Sequence, residues 1–194
     1  MERVLIVVLV VSTALVHSAE KTAQKLPVWS VNSSAAAKLA KNVDGGWFSI
    51  RPPRKYLQAE LDDTTYEKAG IKIAAWTMES DHVINPTISI MSLPAPRVPA
   101  ENDKEIFEGI LKSLTARWPD AHGSKITQGR WNGRIAYRYE FTATSTRDNI
   151  AGIVFADITA ARTFVVSALH TVNTSEDRDA IKTLELSAIS CKRK

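Results

Sequence analysis

Between Lys125 and His170, four strand-like runs follow one another with no helical pattern between them. The first, Lys125 to Trp131, meets the dipeptide Asn132-Gly133, whose tolerance of positive φ marks a two-residue hairpin. Arg134 to Thr144 alternates, with Ile135, Tyr137, Tyr139 and Phe141 inward and Arg134, Arg138 and Glu140 outward. Ile150 to Ile158 is apolar on both faces, so it belongs in the middle of a sheet covered on both sides. Arg162 to His170 sets Phe164, Val166 and Ala168 on one face and Val165 and Leu169 on the other. Links this short join antiparallel neighbours, because a parallel return needs a long crossover.

Two helical patterns supply the cover. Over 103–118, Ile106, Phe107, Ile110, Leu111, Leu114 and Trp118 recur on one face, Asn102 and Glu105 form a start signal, and Pro119 is a stop. A second helix is expected over about 176–190, capped by Ser175 and burying Ile181, Leu184, Ala188 and Ile189. Three shorter strands come before them, at Trp47–Pro53, Ile71–Glu79 and Thr87–Leu93, and Pro94, Pro96 and Pro99 then stiffen the connection. Strands and helices segregated in this way imply α+β rather than doubly wound α/β. The expected fold is an antiparallel sheet of about six or seven strands with helices on both faces, an α/β/α sandwich.

The amino terminus reads differently. Val4 to Val16 is mainly apolar but falls short of the about 20 residues that span a bilayer. With Arg3 before it and Ser18 and Ala19 after it, the run reads as a signal peptide over 1–19, cut before or after Ala19. The alternatives are a buried strand or an uncleaved anchor. Export to the periplasm or outside the cell is therefore expected, with no transmembrane segment after cleavage. Residues 20–43 read as a leader or a short docked helix, and 44–191 as one domain.

A chain of 194 residues, 44% hydrophobic and 24% charged, suits one globular domain and excludes disordered and collagen-like classes. Cleavage removes Arg3 and Glu2 together, so the net charge stays at +4. That is far below the charge of a nucleic-acid binder, and no nucleic-acid partner is expected. Cys191 is the only cysteine, so no internal disulfide is possible; it reads as a partly buried small residue closing a helix, the alternative being a thiol whose pKa is lowered by the Lys-Arg-Lys that follows it.

Gly46-Trp-Phe-Ser-Ile-Arg-Pro-Pro-Arg-Lys-Tyr resembles the F-S-I-x-x-P-x-x-Y/W opening of PsbP-like domains. Trp131-Asn-Gly-Arg-Ile-Ala-Tyr and the closing Phe164-Val-Val-Ser strand with its terminal helix are similar to later parts of the same pattern. The resemblance runs over about residues 44–190 and is to the PsbP-like superfamily, which includes exported bacterial PsbP and DcrB-like proteins. It implies an α/β/α sandwich and carries over no catalytic residue.

The sequence assigns no catalytic, cofactor-binding or metal-ligating residue. It has no P-loop, no G-x-G-x-x-G, no H-E-x-x-H and no G-x-S-x-G, and no cofactor is expected. Metal chemistry would draw on Asp81-His82 or Asp120-x-His122, whereas His170 reads as a half-buried strand-end residue with a satisfied hydrogen bond. Asp157 falls in phase with Ile153 and Phe155; a buried carboxylate is costly unless paired, and Arg162 across the next turn is its expected partner. Basic and aromatic side chains interleave at Arg51, Arg54, Lys55 and Tyr56 and again at Arg130 and Trp131, and these six residues are the candidate partner-binding rim. The expected function is an exported, non-enzymatic binding or accessory module for an unknown protein or anionic ligand. The alternative is a hydrolase or metal-dependent enzyme with a site near His82, His122 or Asp157.

Overall fold

The computed structural model describes residues 25–61, 64–81, 84–95, 102–145 and 148–194. In chain order the elements are β1 (Val28–Trp29), α1 (Ser33–Ala36), β2 (Val43–Asp44), β3 (Phe48–Ile50), β4 (Leu57–Gln58), α2 (Thr64–Lys68), β5 (Lys72–Thr77) and β6 (Thr87–Pro94). There follow α3 (Asp103–Thr115), β7 (His122–Gly123), β8 (Thr127–Trp131), β9 (Arg134–Ser145), β10 (Asp148–Ile158), β11 (Arg162–Thr171), α4 (Ser175–Ser190) and β12 (Lys192–Arg193). The signal-peptide reading and His82 lie outside the described residues. Among the described residues no helix is long and apolar enough to cross a membrane.

The main sheet has nine strands among the described residues, in the order β1-β8-β9-β10-β11-β6-β5-β4, with β7 also paired to β9. That is wider than the expected six or seven. The extra strands are two-residue pieces, too short to carry a period. The neighbours are antiparallel except β1, which runs parallel to β8 and sets Val28 against Arg130 and Trp29 against Trp131. Residues 25–43, read above as a leader or docked helix, thus contribute a sheet strand as well as the single turn α1. The strand expected over Trp47–Pro53 is β3, which joins a separate sheet in the order β12-β3-β2.

β10 is central, as its doubly apolar pattern requires. Ile153 and Phe155 enter a cluster with Leu184, Ala188 and Ile189 of α4, while Val154 and Ala156 enter another with Phe107 and Leu111 of α3. Each long helix therefore serves one face, but the sandwich is only partly helical. On the α4 side, Phe48 and Ile50 of the small sheet share the cover, with Trp29, Val31 and Val43 packed beside them. The outward face expected for β9 is covered too: Arg138 reaches Glu185 of α4 at 2.5 Å and sits 5.7 Å from the Phe155 ring. Ile135, expected inward, is 51% exposed.

The helix ends follow capping chemistry. The Asn102 side chain accepts from Glu105 N at 3.1 Å and opens α3, whose regular part stops at Thr115. Trp118 is still buried, just beyond that end. Thr174, not Ser175, caps α4: its hydroxyl accepts from Asp177 N, and Asp177 Oδ2 accepts from Thr174 N in return.

Candidate anion-binding cleft over Asp157

Asp157 stands near the end of β10, opposite Phe164 of β11, with its side chain 6% exposed. Two arginines approach it from elements distant in sequence. Arg134, which opens β9 after the hairpin, places Nε 3.8 Å from Asp157 Oδ2. Arg193 of β12 places Nη1 3.5 Å from the same oxygen. Neither separation is a charge-assisted hydrogen bond, which closes to about 2.7–2.9 Å. Asp157 Oδ2 and Arg193 Nη1 are both buried, and neither has a hydrogen-bond partner among the described residues.

These groups line a cleft of about 250 Å³ that also takes in Asn132 and Lys192, with Trp131 and Phe164 as apolar walls. Its frame is rigid. Asn132 and Gly133 hold φ of 52° and 80°, as the Asn-Gly hairpin requires. Trp131 Nε1 donates to Ile189 O at 3.0 Å, and Asn132 Nδ2 donates to Cys191 O at 2.5 Å, tying the hairpin to the end of α4. β12 then pairs Lys192 with Ser49 and Arg193 with Phe48, which brings the basic carboxyl-terminal run over Asp157. Burial pushes the Asp157 carboxyl up from its ordinary value, and Arg193 and Arg134 pull it part of the way back.

The expected Arg162 partner is corrected. Arg162 leans towards β6 instead, where Nε donates to Ser92 Oγ at 2.8 Å and Nη2 to Gly70 O at 2.7 Å. Proximity in sequence pointed to Arg162, yet three oxygens around Ser92 and Gly70 satisfy its guanidinium away from the carboxylate. Cys191 closes α4 as a small residue, as expected, and is buried more completely than expected; that burial drives its thiol pKa well up despite the basic tail.

The six rim residues separate. Trp131 is a core residue at 2% exposure, so its ring is closed to a partner. Arg51 is half-buried and spends its guanidinium on Ala40 O and Ala36 O, at 3.1 and 3.0 Å. It shares a second cleft, about 460 Å³, with Asn132 and Gly133; Arg54, Lys55, Tyr56 and Arg130 do not line it. Arg54, Lys55 and Arg130 are exposed, while Tyr56 is half-buried and its phenol is pushed up by burial. Of the six expected rim residues, Arg51 alone lines this cleft beside the Asn132-Gly133 turn, while Tyr56 packs against the cluster that holds Trp131. Arg134, Lys192 and Arg193 were not assigned to a site from sequence; they stood out only as basic residues of the hairpin and of the Lys-Arg-Lys tail, with nothing to tie either to Asp157.

Among the described residues, the candidate enzyme residues His122 and Asp157 do not converge. His122 pairs with Thr142, which faces Ala151. Asp157 lies six residues further along β10, about 20 Å away at the rise of a strand. His122 is held by Asp120 O at 3.0 Å and Thr142 Oγ1 at 3.2 Å, and His170 is buried against Thr171 O. Among the described residues no three His, Cys, Asp or Glu side chains gather to hold a metal ion.

No protein-family model matches the chain, and no curated protein does. Solved structures match its shape. The chain has a PsbP-like fold: it superposes on the cyanobacterial PsbP of Synechocystis sp. PCC 6803 with a TM-score of 0.57 at 10% identity, covering 81% of this chain and 94% of that one. LpqN of Mycobacterium tuberculosis, described as involved in cell envelope biogenesis, gives 0.49 at 11% identity over 86% and 98% of the two chains. The Ran-binding protein Mog1p of Saccharomyces cerevisiae gives 0.48 at 16% identity over 77% and 86%.

Proposed function

We propose that the chain is an exported, non-enzymatic binding or accessory module that takes an anionic partner at the cleft over Asp157. One observation carries the reading: Arg134, Lys192 and Arg193 gather around a single buried carboxylate in an open cleft, so cationic charge is in excess there. Surface charges of one sign in a concave site attract oppositely charged partners and speed their encounter. The PsbP-like fold is compatible with this role, but function is argued from the site. Export rests on the apolar run Val4–Val16 and the small residues after it.

The test compares two pairs of neutralising substitutions with the same change in net charge. Arg134→Gln with Arg193→Gln should elute from phosphocellulose at clearly lower salt than wild type, while Lys104→Gln with Lys182→Gln on the exposed faces of α3 and α4 should shift elution much less. Equal shifts for the two pairs would overturn the site. Sequencing of the exported protein should begin at Ala19 or Glu20, and an exported chain beginning at Met1 would overturn the signal-peptide assignment.

A further inference from the structure

A groove of about 560 Å³ runs between the sheet and α4 and shares no lining residue with the cleft over Asp157. α4 lies along β10. Asn149 N donates to Asn173 Oδ1 at 2.9 Å just before the helix begins, and Arg138, paired opposite Phe155, reaches Glu185 at 2.5 Å further along it. Ala151, Ile153 and Ile181 give the groove an apolar floor, and Ala151 and Ile181 are only half-buried, so the floor is open to a ligand. The volume is in the range of small-molecule sites.

Charge is sorted along this groove. Arg178 and Lys182, both exposed, line it from the first half of α4. Lys182 is tied to Asp179 at 3.1 Å, whereas Arg178 donates Nε to Thr174 O at 3.3 Å and has no carboxylate partner among the described residues. Glu140 and Glu185 line the far end, where the Oε1 atoms of both meet Arg138 Nη2. Two carboxylates share one guanidinium, so one negative charge is left over there. Arg178 and Glu185 are seven residues apart, two turns on one flank of the helix, or about 10.5 Å along its axis. The groove thus asks for an anionic group and a cationic group about 10 Å apart with an apolar stretch between them. A residue spans about 3.3–3.6 Å when extended, so a free amino acid is too short and a tripeptide fits. We propose that this groove binds a short zwitterionic peptide of about three residues. Its carboxylate meets Arg178 and Lys182, its α-ammonium meets Glu140 and Glu185, and an apolar middle side chain rests on Ala151 and Ile181. The Glu140–Arg138–Glu185 bridge ties sheet to helix at one end, so little ordering is needed on binding.

Calorimetric titration of the exported chain at pH 7.5 with the peptide Ala-Leu-Ala is the experiment, with its N-acetylated form, its C-terminal amide and free leucine as comparisons. Ala-Leu-Ala should bind at a single site. Each capped form should bind about tenfold or more weakly, the discrimination expected when a bond to a charged group is lost, and leucine more weakly than the free peptide. Arg178→Gln should bring acid and amide within about twofold of one another while the penalty of acetylation persists. Glu140→Gln lets Glu185 alone neutralise Arg138, so it should remove the acetylation penalty and keep the amide one. Both side chains are exposed, and the selective loss of one penalty is not produced by misfolding. Absence of Ala-Leu-Ala binding, capped forms as tight as the free peptide, or penalties unchanged in both variants would each overturn the inference. The salt elution of Arg134→Gln with Arg193→Gln is independent of it, since neither arginine lines this groove.

Discussion

Burial raises the Asp157 carboxyl above its ordinary value of 3.8, and the pull of Arg193 and Arg134 does not fully reverse it. The folded state therefore favours the protonated form more than the unfolded state does. Stability from this group is present below the unfolded value and is lost as pH rises through the folded one. At pH 7 the ionised carboxylate is a destabilising feature, of the sort retained where a site needs it. Asp157→Asn should raise the melting temperature at pH 7, and the difference from wild type should shrink as pH falls below about 3.8. A lower melting temperature for the variant at pH 7 would mean that the arginines stabilise the charged form outright. The burial of Asp157 was legible from its phase with Ile153 and Phe155. Its neighbours were not, because Arg134 and Arg193 reach it through a hairpin and a terminal strand rather than along one element.

The elements recovered from sequence are those with enough length to show a period or an unambiguous turn. β9, β10, β11, α3 and α4 all appear within a few residues of their expected ends. β1 escaped because two residues, Val28 and Trp29, cannot display alternation. Its docking depends on Gly129 of β8. A Cβ there would meet Trp29 Cζ2 at 2.7 Å and Pro27 O at 2.8 Å. Gly129→Ala should push β1 from its place and cost about 1–3 kcal/mol in urea unfolding, as overpacking does. Exchange of the Arg130 amide, which donates to Pro27 O at 2.8 Å, should quicken in the same variant. Gly109→Ala in α3 meets nothing within 4 Å and should instead gain up to about 1 kcal/mol from helix propensity. Wild-type stability and exchange in Gly129→Ala would show that β1 does not pack on β8 this way.

On the scale of the whole molecule, one sheet separates two apolar clusters, with α4 and the small sheet on one side and α3 on the other. Phe107 and Leu184 are fully buried in opposite clusters. Truncating Phe107 to Ala should cost about 3–5 kcal/mol and Leu184 to Ala about 2–5 kcal/mol. Residues with no shared partner add, and the total rivals the about 5–15 kcal/mol by which a domain is stable. Each single variant should stay folded with a lower urea midpoint, and the double variant should be largely unfolded at room temperature. A double variant hardly worse than the worse single one would mean that the two faces are not independent. The sequence by itself determined the α+β class, the central place of β10, the Asn132-Gly133 hairpin and the two long helices, because periodicity and turn chemistry are local properties of the chain. Only the tertiary structure decided the width of the sheet, the burial of Trp131 and the company of Asp157. Two-residue strands carry no period, and a tryptophan reads the same whether it is core or surface. Which cations meet a buried carboxylate depends on where separate elements end in space, and no local pattern in the chain encodes that.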